Sequence, residues 1–389
     1  MELTRKQEEG LKIAIAKYNN KDPYTVISGY AGTGKTTLIR FIVSALNLNP
    51  EDVAYIAYTG KAAMVLKEKG NLQAMTSHRF LYNSKQKPDG TFFHIPKQSL
   101  PSNIKLVVVD EISMLPKQIW DLLLSHRVPV IACGDPGQLP PIGEDNEVLY
   151  HPDIFLDEVM RQAEESEIIR LSMDIRARKA IKPMHGNEVN IVTREDLCAG
   201  MFKWADQVLC GKNATRHDFN RYYRRLIWDR EDEDLTSPLV GDKIICLKNN
   251  WDRINPMGDA LINGMTGILT GLETRFHPIL DTACYIDFTP DCYGEDVGID
   301  TTFNPRLLID WNLITEGEPT INKDNFKLFP RNIRPEQFDY GYVITTHKSQ
   351  GSEYNKVLVI EEVLRRADHA RWLYTAVTRA KEKLTLVLA

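Results

Sequence analysis

Eight residues near the start of the chain dictate its architecture. Gly29-Tyr30-Ala31-Gly32-Thr33-Gly34-Lys35-Thr36 satisfies the pattern G-x-x-x-x-G-K-[ST]. Before it, Tyr24 to Ser28 reads as a short buried strand. After it, Thr37 to Leu48 places apolar residues at Leu38, Ile39, Ile42, Ala45 and Leu46, which is helix spacing. A strand that turns into a helix through glycines leaves backbone N–H groups at the helix N-terminus, where phosphate oxygens bind. Lys35 adds a point charge for β- and γ-phosphates, and the Thr36 hydroxyl can ligate Mg²⁺.

The next apolar runs, at 53–57, 105–109 and 128–133, are separated by helix-patterned sequence. Strands that are apolar on both faces and alternate with helices belong to parallel sheets covered on both sides. The same character resumes at 208–210 and the helical 218–228, then at 342–345, 356–360 and 383–388. Two stretches break the pattern. In residues 83–103, Pro88-Asp89-Gly90 followed by Thr91-Phe92-Phe93 predicts a hairpin turn and its return strand. In residues 241–333, short β-like runs at 243–247, 266–272, 283–288 and 306–310 predict a small all-β barrel inserted into the second α/β region.

Composition serves mainly to exclude. Apolar residues make up 43% and charged residues 26% of the 389, which rules out disordered, collagen-like and disulfide-scaffold proteins. No apolar run reaches the ~18 residues of a membrane helix. The start MELTRKQEEG shows no basic segment followed by an apolar core, so a cytoplasmic location without membrane contact is expected. Cys133, Cys198, Cys210, Cys246, Cys284 and Cys292 are scattered without a Cys-x-x-Cys pair, which predicts buried thiols rather than a zinc site. A net charge of −5, taken alone, argues against a nucleic-acid coat protein but leaves room for a local basic channel, because footprint decides binding.

Two further clusters carry chemistry. Val107-Val108-Val109-Asp110-Glu111 is an apolar strand ending in two acids. Such a pair alone is usually a helix cap. Downstream of a phosphate loop, Asp110 is a candidate Mg²⁺ ligand and Glu111 a candidate to orient and deprotonate water. Gly134-Asp135-Pro136-Gly137-Gln138-Leu139-Pro140-Pro141 reads either as a plain turn or as a loop placing Gln138 against a γ-phosphate, at the sheet edge where ligands bind.

These segments, in this order, resemble the superfamily 1 helicases. Thr4 and Gln7 resemble the adenine-recognising Q motif, and Tyr58-Thr59-Gly60-Lys61-Ala62-Ala63 and Thr76-Ser77-His78-Arg79-Phe80 resemble motifs Ia and Ib. Glu158-Val159-Met160-Arg161-Gln162, Thr345 to Glu353 and Tyr374 to Ala380 resemble motifs IV, V and VI. The run Thr345-Thr346-His347-Lys348-Ser349-Gln350-Gly351-Ser352-Glu353, together with an inserted barrel, is similar to the 5′→3′ branch, superfamily 1B, and within it to RecD-type and Dda-type helicases.

The resemblance implies an α/β fold of two RecA-like P-loop NTPase domains with parallel sheets, a small hairpin insertion and an SH3-like β-barrel insertion. The expected boundaries are 1–82 with 104–160 (1A), 83–103 (1B wedge), 161–240 with 334–389 (2A) and 241–333 (2B). The implied activity is ATP- and Mg²⁺-dependent 5′→3′ DNA unwinding and translocation; the alternative is an ATPase stimulated by single strands that displaces bound proteins without opening duplex. A P-loop kinase or GTPase-like switch would leave Gln138, His347 and Arg379 unexplained.

By residue, the resemblance makes Lys35, Glu111, Gln138, Arg161 and Arg379 catalytic, the two arginines as fingers. Gln7, Gly32, Thr33, Gly34, Lys35, Thr36, Thr37, Gly351 and Glu353 would hold the nucleotide, and Thr36 and Asp110 the Mg²⁺. Thr59, Lys61, Thr76, His78, Pro140, Asn213, Thr215, Thr346, His347 and Lys348 would bind single-stranded DNA. Phe92, Phe93 and His94 would press on the first base pair of a single-strand/duplex junction, unless they anchor the hairpin. The basic and aromatic run Arg216 to Arg225 reads as a strand-binding surface or, more commonly, a solvated helix face with buried aromatics. A monomer is expected, with a single-strand-binding protein or replication proteins as candidate partners.

Overall fold

A computed structural model of the chain describes residues 3–71, 73–86, 92–140, 144–160, 165–229, 237–256, 260–277, 281–291, 301–303, 306–310, 334–364 and 368–389. It divides into two compact units: Met1–Ser84, His94–Leu197 and Ser349–Ala389 form one, and Lys85–Phe93 with Cys198–Lys348 the other.

The first unit opens with helix α1 (Arg5–Asn19), strand β1 (Tyr24–Gly29), α2 (Lys35–Ala45), β2 (Val53–Ala57), α3 (Gly60–Glu68), β3 (Met75–Thr76) and α4 (Ser77–Leu81). Strands β4 (Tyr82–Gln86) and β5 (Phe92–Pro96) follow as a two-stranded sheet. Next come β6 (Leu106–Asp110), α5 (Lys117–Ser125), β7 (Val130–Gly134), β8 (Ile154–Leu156), α6 (Glu167–Arg176), β9 (Met184–His185) and β10 (Val189–Val192). The strands that flank the phosphate loop assemble as one parallel sheet in the order β3-β2-β6-β7-β1-β8. Strand β6 shows why the runs had to be apolar throughout: Val107 and Val109 enter the core with Trp120, while Leu106 and Val108 enter the opposite core with Leu38 and Ile42. The order places the C-terminal ends of β6, β7 and β1 side by side, so the loops after all three share one edge.

The second unit contains α7 (Ala199–Trp204), β11 (Gln207–Cys210), α8 (Asn213–Trp228), β12 (Lys243–Cys246), β13 (Asn250–Ile254), β14 (Ala260–Leu261), β15 (Thr266–His277), β16 (Asp281–Pro290), β17 (Leu307–Ile309), β18 (Phe338–Tyr340) and β19 (Val343–Thr345). The first unit resumes with β20 (Tyr354–Ile360), α9 (His369–Val377) and β21 (Ala380–Val387). There β20 and β10 flank β21 in parallel, and β9 runs antiparallel beside β10. In the second unit β11 and β19 pair in parallel.

The expected barrel is an open antiparallel sheet among the described residues, ordered β17-β16-β15-β12-β18. Its edges meet in a single bridge, Ile309 to Glu336, because both edge strands are only three residues long. Four of the five described cysteines are buried as expected; Cys198 is exposed. No helix among the described residues is long and apolar enough to cross a membrane.

Helix α8 resolves the ambiguity of the basic and aromatic run. Phe219, Tyr222 and Tyr223 pack on Phe202. Arg224 is 3% exposed and donates Nε and Nη2 to Asp242, at 3.0 and 2.9 Å. Asp242 also accepts Trp228 Nε1–H at 3.0 Å and the Tyr342 hydroxyl at 2.8 Å. Removing one partner strands a buried charge, so Asp242→Ala is expected to cost about 3–5 kcal/mol. Urea unfolding followed by Trp fluorescence reads this, and a loss under ~1 kcal/mol would mean the pair anchors nothing.

Candidate active site

The phosphate loop is shaped by two glycines and held by two distant residues. Gly32 and Gly34 both have φ 76°, the left-handed region. The Gln7 amide Nε2–H donates to Thr33 O at 3.2 Å, and Met160 N–H donates to Gly32 O at 3.0 Å. Gln7 itself is fixed by a capping box, giving its N–H to Thr4 Oγ1 and taking Thr4 N–H on Oε1. Thr33 Oγ1 donates to Tyr30 O at 2.8 Å, and Lys35 Nζ donates to Gly29 O and Tyr30 O at 2.8 and 2.9 Å. Helix α2 starts from Gly34 with no side-chain cap and no acid in its first turn. Its free N–H groups and positive dipole end therefore suit an anionic cap.

The acids lie at the neighbouring strand end. Asp110 closes β6 and accepts Glu111 N–H at 3.0 Å; Glu111 has φ 52°, a strained conformation for a residue with a side chain. Burial pushes both carboxyls above their ordinary range, while Arg379 and Lys35 pull Glu111 back and Lys69 and Lys35 pull Asp110 back. No group of three or more His, Cys, Asp or Glu among the described residues could hold a metal. Mg²⁺ is held by one or two protein oxygens together with substrate phosphates, and Thr36 and Asp110 are the residues that would supply them here.

The third loop, after β7, is bound to helix α9. Asp135 is 2% exposed and accepts Gly137 N–H at 2.8 Å and the Tyr374 hydroxyl at 2.6 Å. Gln138 is 7% exposed, and its Oε1 has no hydrogen-bond partner among the described residues. Arg379 donates Nε–H to Thr375 O and Nη1–H to Ser352 O, both at 3.1 Å. The uncapped helix and the acids beside Lys35 make the edge fit a Mg²⁺-bound nucleoside triphosphate, with the unpartnered Gln138 oxygen open to accept from a water.

The other expected site residues divide three ways. Thr59 caps α3 and Thr76 caps α4; His78 stands between the rings of Tyr58 and Tyr82, each 5.7 Å away. Lys61 Nζ lies 3.0 Å from the Tyr354 hydroxyl and over that ring. Pro140 is half-buried, Asn213 is exposed in the first turn of α8 with Thr215 beside it, and His347 and Lys348 share one 3₁₀ turn. Three residues sit where the sequence did not lead us to expect. Thr346 is fully buried with its hydroxyl on Cys210 O, so a strand would meet its neighbours rather than its side chain. Gly351, expected at the triphosphate, packs against α3, where an added Cβ would lie 2.9 Å from Ala62 Cβ. Glu353 is exposed and pairs with Lys381 at 3.7 Å. Arg161 lies outside the described residues, and so do the side chains of Phe92, Phe93 and His94, on β5. Sequence reasoning assigned no role to Met160, Asp135 and Tyr374, each of which has a hydrogen-bond partner far away in the chain.

The fold and this edge define a P-loop nucleoside triphosphatase. Residues 2–190 match the AAA domain family, and residues 340–387 match the UvrD-like helicase C-terminal domain. The chain is 27% identical to the ATP-dependent DNA helicase dda of Enterobacteria phage T4 over 179 residues, covering 45% of this chain and 41% of that protein. It is also 27% identical to the ATP-dependent RecD2 DNA helicase of Deinococcus radiodurans over 373 residues, 92% of this chain and 46% of that protein. The chain thus spans less than half the length of these curated relatives. In fold it is similar to the Pif1 helicase from Bacteroides in complex with ADP-AlF3 and ssDNA, with a TM-score of 0.56 at 18% identity, over 99% of this chain and 92% of that one. With its ordered motifs, the chain is similar to the superfamily 1B helicases.

Gly34 offers a direct check on the nucleotide site. An added Cβ would fall 2.5 Å from Met160 Sδ and against the Gln7 amide, on a backbone with φ +76°. Gly34→Ala should weaken binding of a fluorescent ATP analogue about tenfold or more, since strain of ~1–3 kcal/mol falls on the loop itself. Unaltered affinity would place the nucleotide elsewhere.

Proposed function

We propose that this chain is the motor of an ATP-driven helicase that moves 5′→3′ on single-stranded DNA and opens the duplex ahead of it. The carrying observation is the gathering of the uncapped α2 with Lys35, the half-buried pair Asp110 and Glu111, and Arg379 acting on Glu111, in one compact unit. The loop N–H groups and Lys35 hold the phosphates; Thr36 and Asp110 hold Mg²⁺, which neutralises charge on β- and γ-oxygens when bound. Glu111 orients the attacking water and takes its proton, and a carboxyl raised by burial is better matched to that task near neutral pH. Gln138 reaches the γ-phosphate, and Arg379 and Arg161 stabilise the charge that builds on it. Gln7 and Gly34 frame the nucleotide with Thr33 and Thr37.

For the strand, Thr59, Lys61, Thr76, His78, Pro140, Asn213, Thr215, His347 and Lys348 offer hydroxyls, amides and cations to phosphates, which give affinity without sequence preference. The matched Dda and RecD2 proteins are DNA helicases by name, and the Pif1 neighbour was captured with ssDNA, which supports this choice of polymer. We carry forward the four domain boundaries, the 83–103 wedge with Phe92, Phe93 and His94 at the junction, and the SH3-like character of 241–333.

Strand displacement on two duplexes, one with a 5′ and one with a 3′ single-stranded tail, tests the proposal. Unwinding of the 5′-tailed duplex alone is expected. Unwinding from the 3′ tail alone overturns the polarity, and single-strand-stimulated ATPase with neither duplex opened favours a translocase that strips proteins.

Lys348 adds a pH test. Burial, with Arg216 beside it, pushes its ammonium down to about 8, so it is charged below that pH and neutral above. A phosphate held by Lys348 should therefore be lost as pH rises, weakening single-strand binding by up to about tenfold between pH 7 and 9. Lys348→Arg, which stays charged, should flatten that slope in fluorescence anisotropy. Equal slopes in the two proteins would remove Lys348 from the strand path.

A further inference from the structure

Tyr374 has no role in the reading above, yet it joins two of the loops that make the site. It is 1% exposed, and its phenol oxygen accepts Ala31 N–H at 3.0 Å while donating to Asp135 Oδ2 at 2.6 Å. Ala31 belongs to the glycine-rich loop, whose N–H groups are of the kind that wrap phosphates. Asp135 belongs to the loop that carries Gln138, and its other oxygen fixes Gly137 N–H. Beyond Gln138, Leu139 N–H donates to Thr375 Oγ1 at 3.0 Å and Leu139 O accepts Gln350 Nε2–H at 3.2 Å. Gln138 is thus held on both flanks by α9 and the turn before β20, while its own amide oxygen stays unpartnered among the described residues. The fit is close: a Cβ on Gly137 would lie 3.0 Å from the Tyr374 ring.

A hydroxyl that accepts one hydrogen bond and donates another polarises both. Shifting Ala31 N–H toward a phosphate alters what the phenol offers Asp135, and moving the Gln138 loop alters what the phenol offers Ala31. We propose that Tyr374 is a positioning residue that couples the phosphate loop to the Gln138–Pro140 loop, so that nucleotide occupancy and strand occupancy each change the affinity for the other. Such coupling is reciprocal by linkage. The inference rests on the ATPase and strand-binding reading given above.

The test is steady-state ATPase of the full chain with and without oligothymidylate, comparing wild type with Tyr374→Phe. The variant keeps the ring in its pocket and removes only the shared oxygen. In the absence of DNA, kcat and KM should stay within about threefold of wild type, while stimulation of kcat by the oligonucleotide falls at least about fivefold, a usual size for site coupling. An unchanged stimulation ratio overturns the inference. So does a proportional fall in basal and stimulated rates, which is what a merely structural tyrosine would produce. If Tyr374→Phe does not fold, as judged by thermal unfolding, Gly137→Ala decides, because it crowds the ring and removes no hydrogen-bonding group. Its stimulation ratio should also fall, and an unchanged ratio overturns the proposal. Wild-type protein with no single-strand-stimulated ATPase, at the level of a Lys35→Ala control, would instead sink the underlying functional reading.

Discussion

Helix α2 begins with its first N–H groups uncapped by any side chain, and much of the site answers to that fact. Helices α1, α3, α4 and α6 each start from a Thr or Ser that accepts a backbone N–H. Helix α2 starts from Gly34 at φ 76°, with no oxygen to offer. The orphan donors and the positive end of the helix dipole are unfavourable when buried without an anion. Lys35 makes the need sharper, since its ammonium folds back on the carbonyls of Gly29 and Tyr30. A triphosphate supplies both the missing cap and a better partner for Lys35. Gln7 and Met160 hold the carbonyls of the cradle from outside.

What could be read from sequence was whatever depended on neighbours in the chain. The phosphate loop needs eight contiguous residues, and β6 needs four apolar ones buried between two cores ahead of its acid, so both were legible. Strand β15 was only half legible. Its second half, Glu273 to His277, is polar but for the exposed Phe276 and is half-exposed or exposed as far as it is described, so it lacks the apolar run that marked Thr266 to Leu272. Thr346 misled in the other direction. A hydroxyl between two basic motif residues looks suited to a phosphate, but its oxygen settles on Cys210 O in the strand beside β19.

The remaining blind spot was sequence distance. Tyr374 meets Ala31 across 343 positions, and Leu139 meets Thr375 across 236. In the sequence Tyr374 is one more aromatic on an apolar helix, and nothing in a 3.6-residue period distinguishes a ring that fills space from one whose oxygen is shared by two loops. Only the sheet order, which sets the ends of β1 and β7 side by side, brings those loops within reach of one phenol. Residues that act by chemistry of their own announce themselves by type; residues that act by position do so only after the chain has folded.

The charge balance points the same way. With 53 acids against 48 Lys and Arg, the chain has no spare positive field to draw in a polyanion. Several cations are already committed: Arg224 to Asp242, Arg216 to Asp339, Lys17 to Asp153, Arg306 to Asp287. On the proposed function, strand binding would rest on capping hydroxyls, amides and a few lysines, one of which is charged only below about pH 8. Few ionic contacts mean few counterions released, and hence affinity that varies gently with salt. For the motor proposed above, which would have to loosen its grip once in every cycle, weak phosphate contacts are an advantage. A strongly basic groove would hold the strand through every nucleotide state, whereas neutral donors at loop ends can be switched by shifts as small as those a shared hydrogen bond transmits.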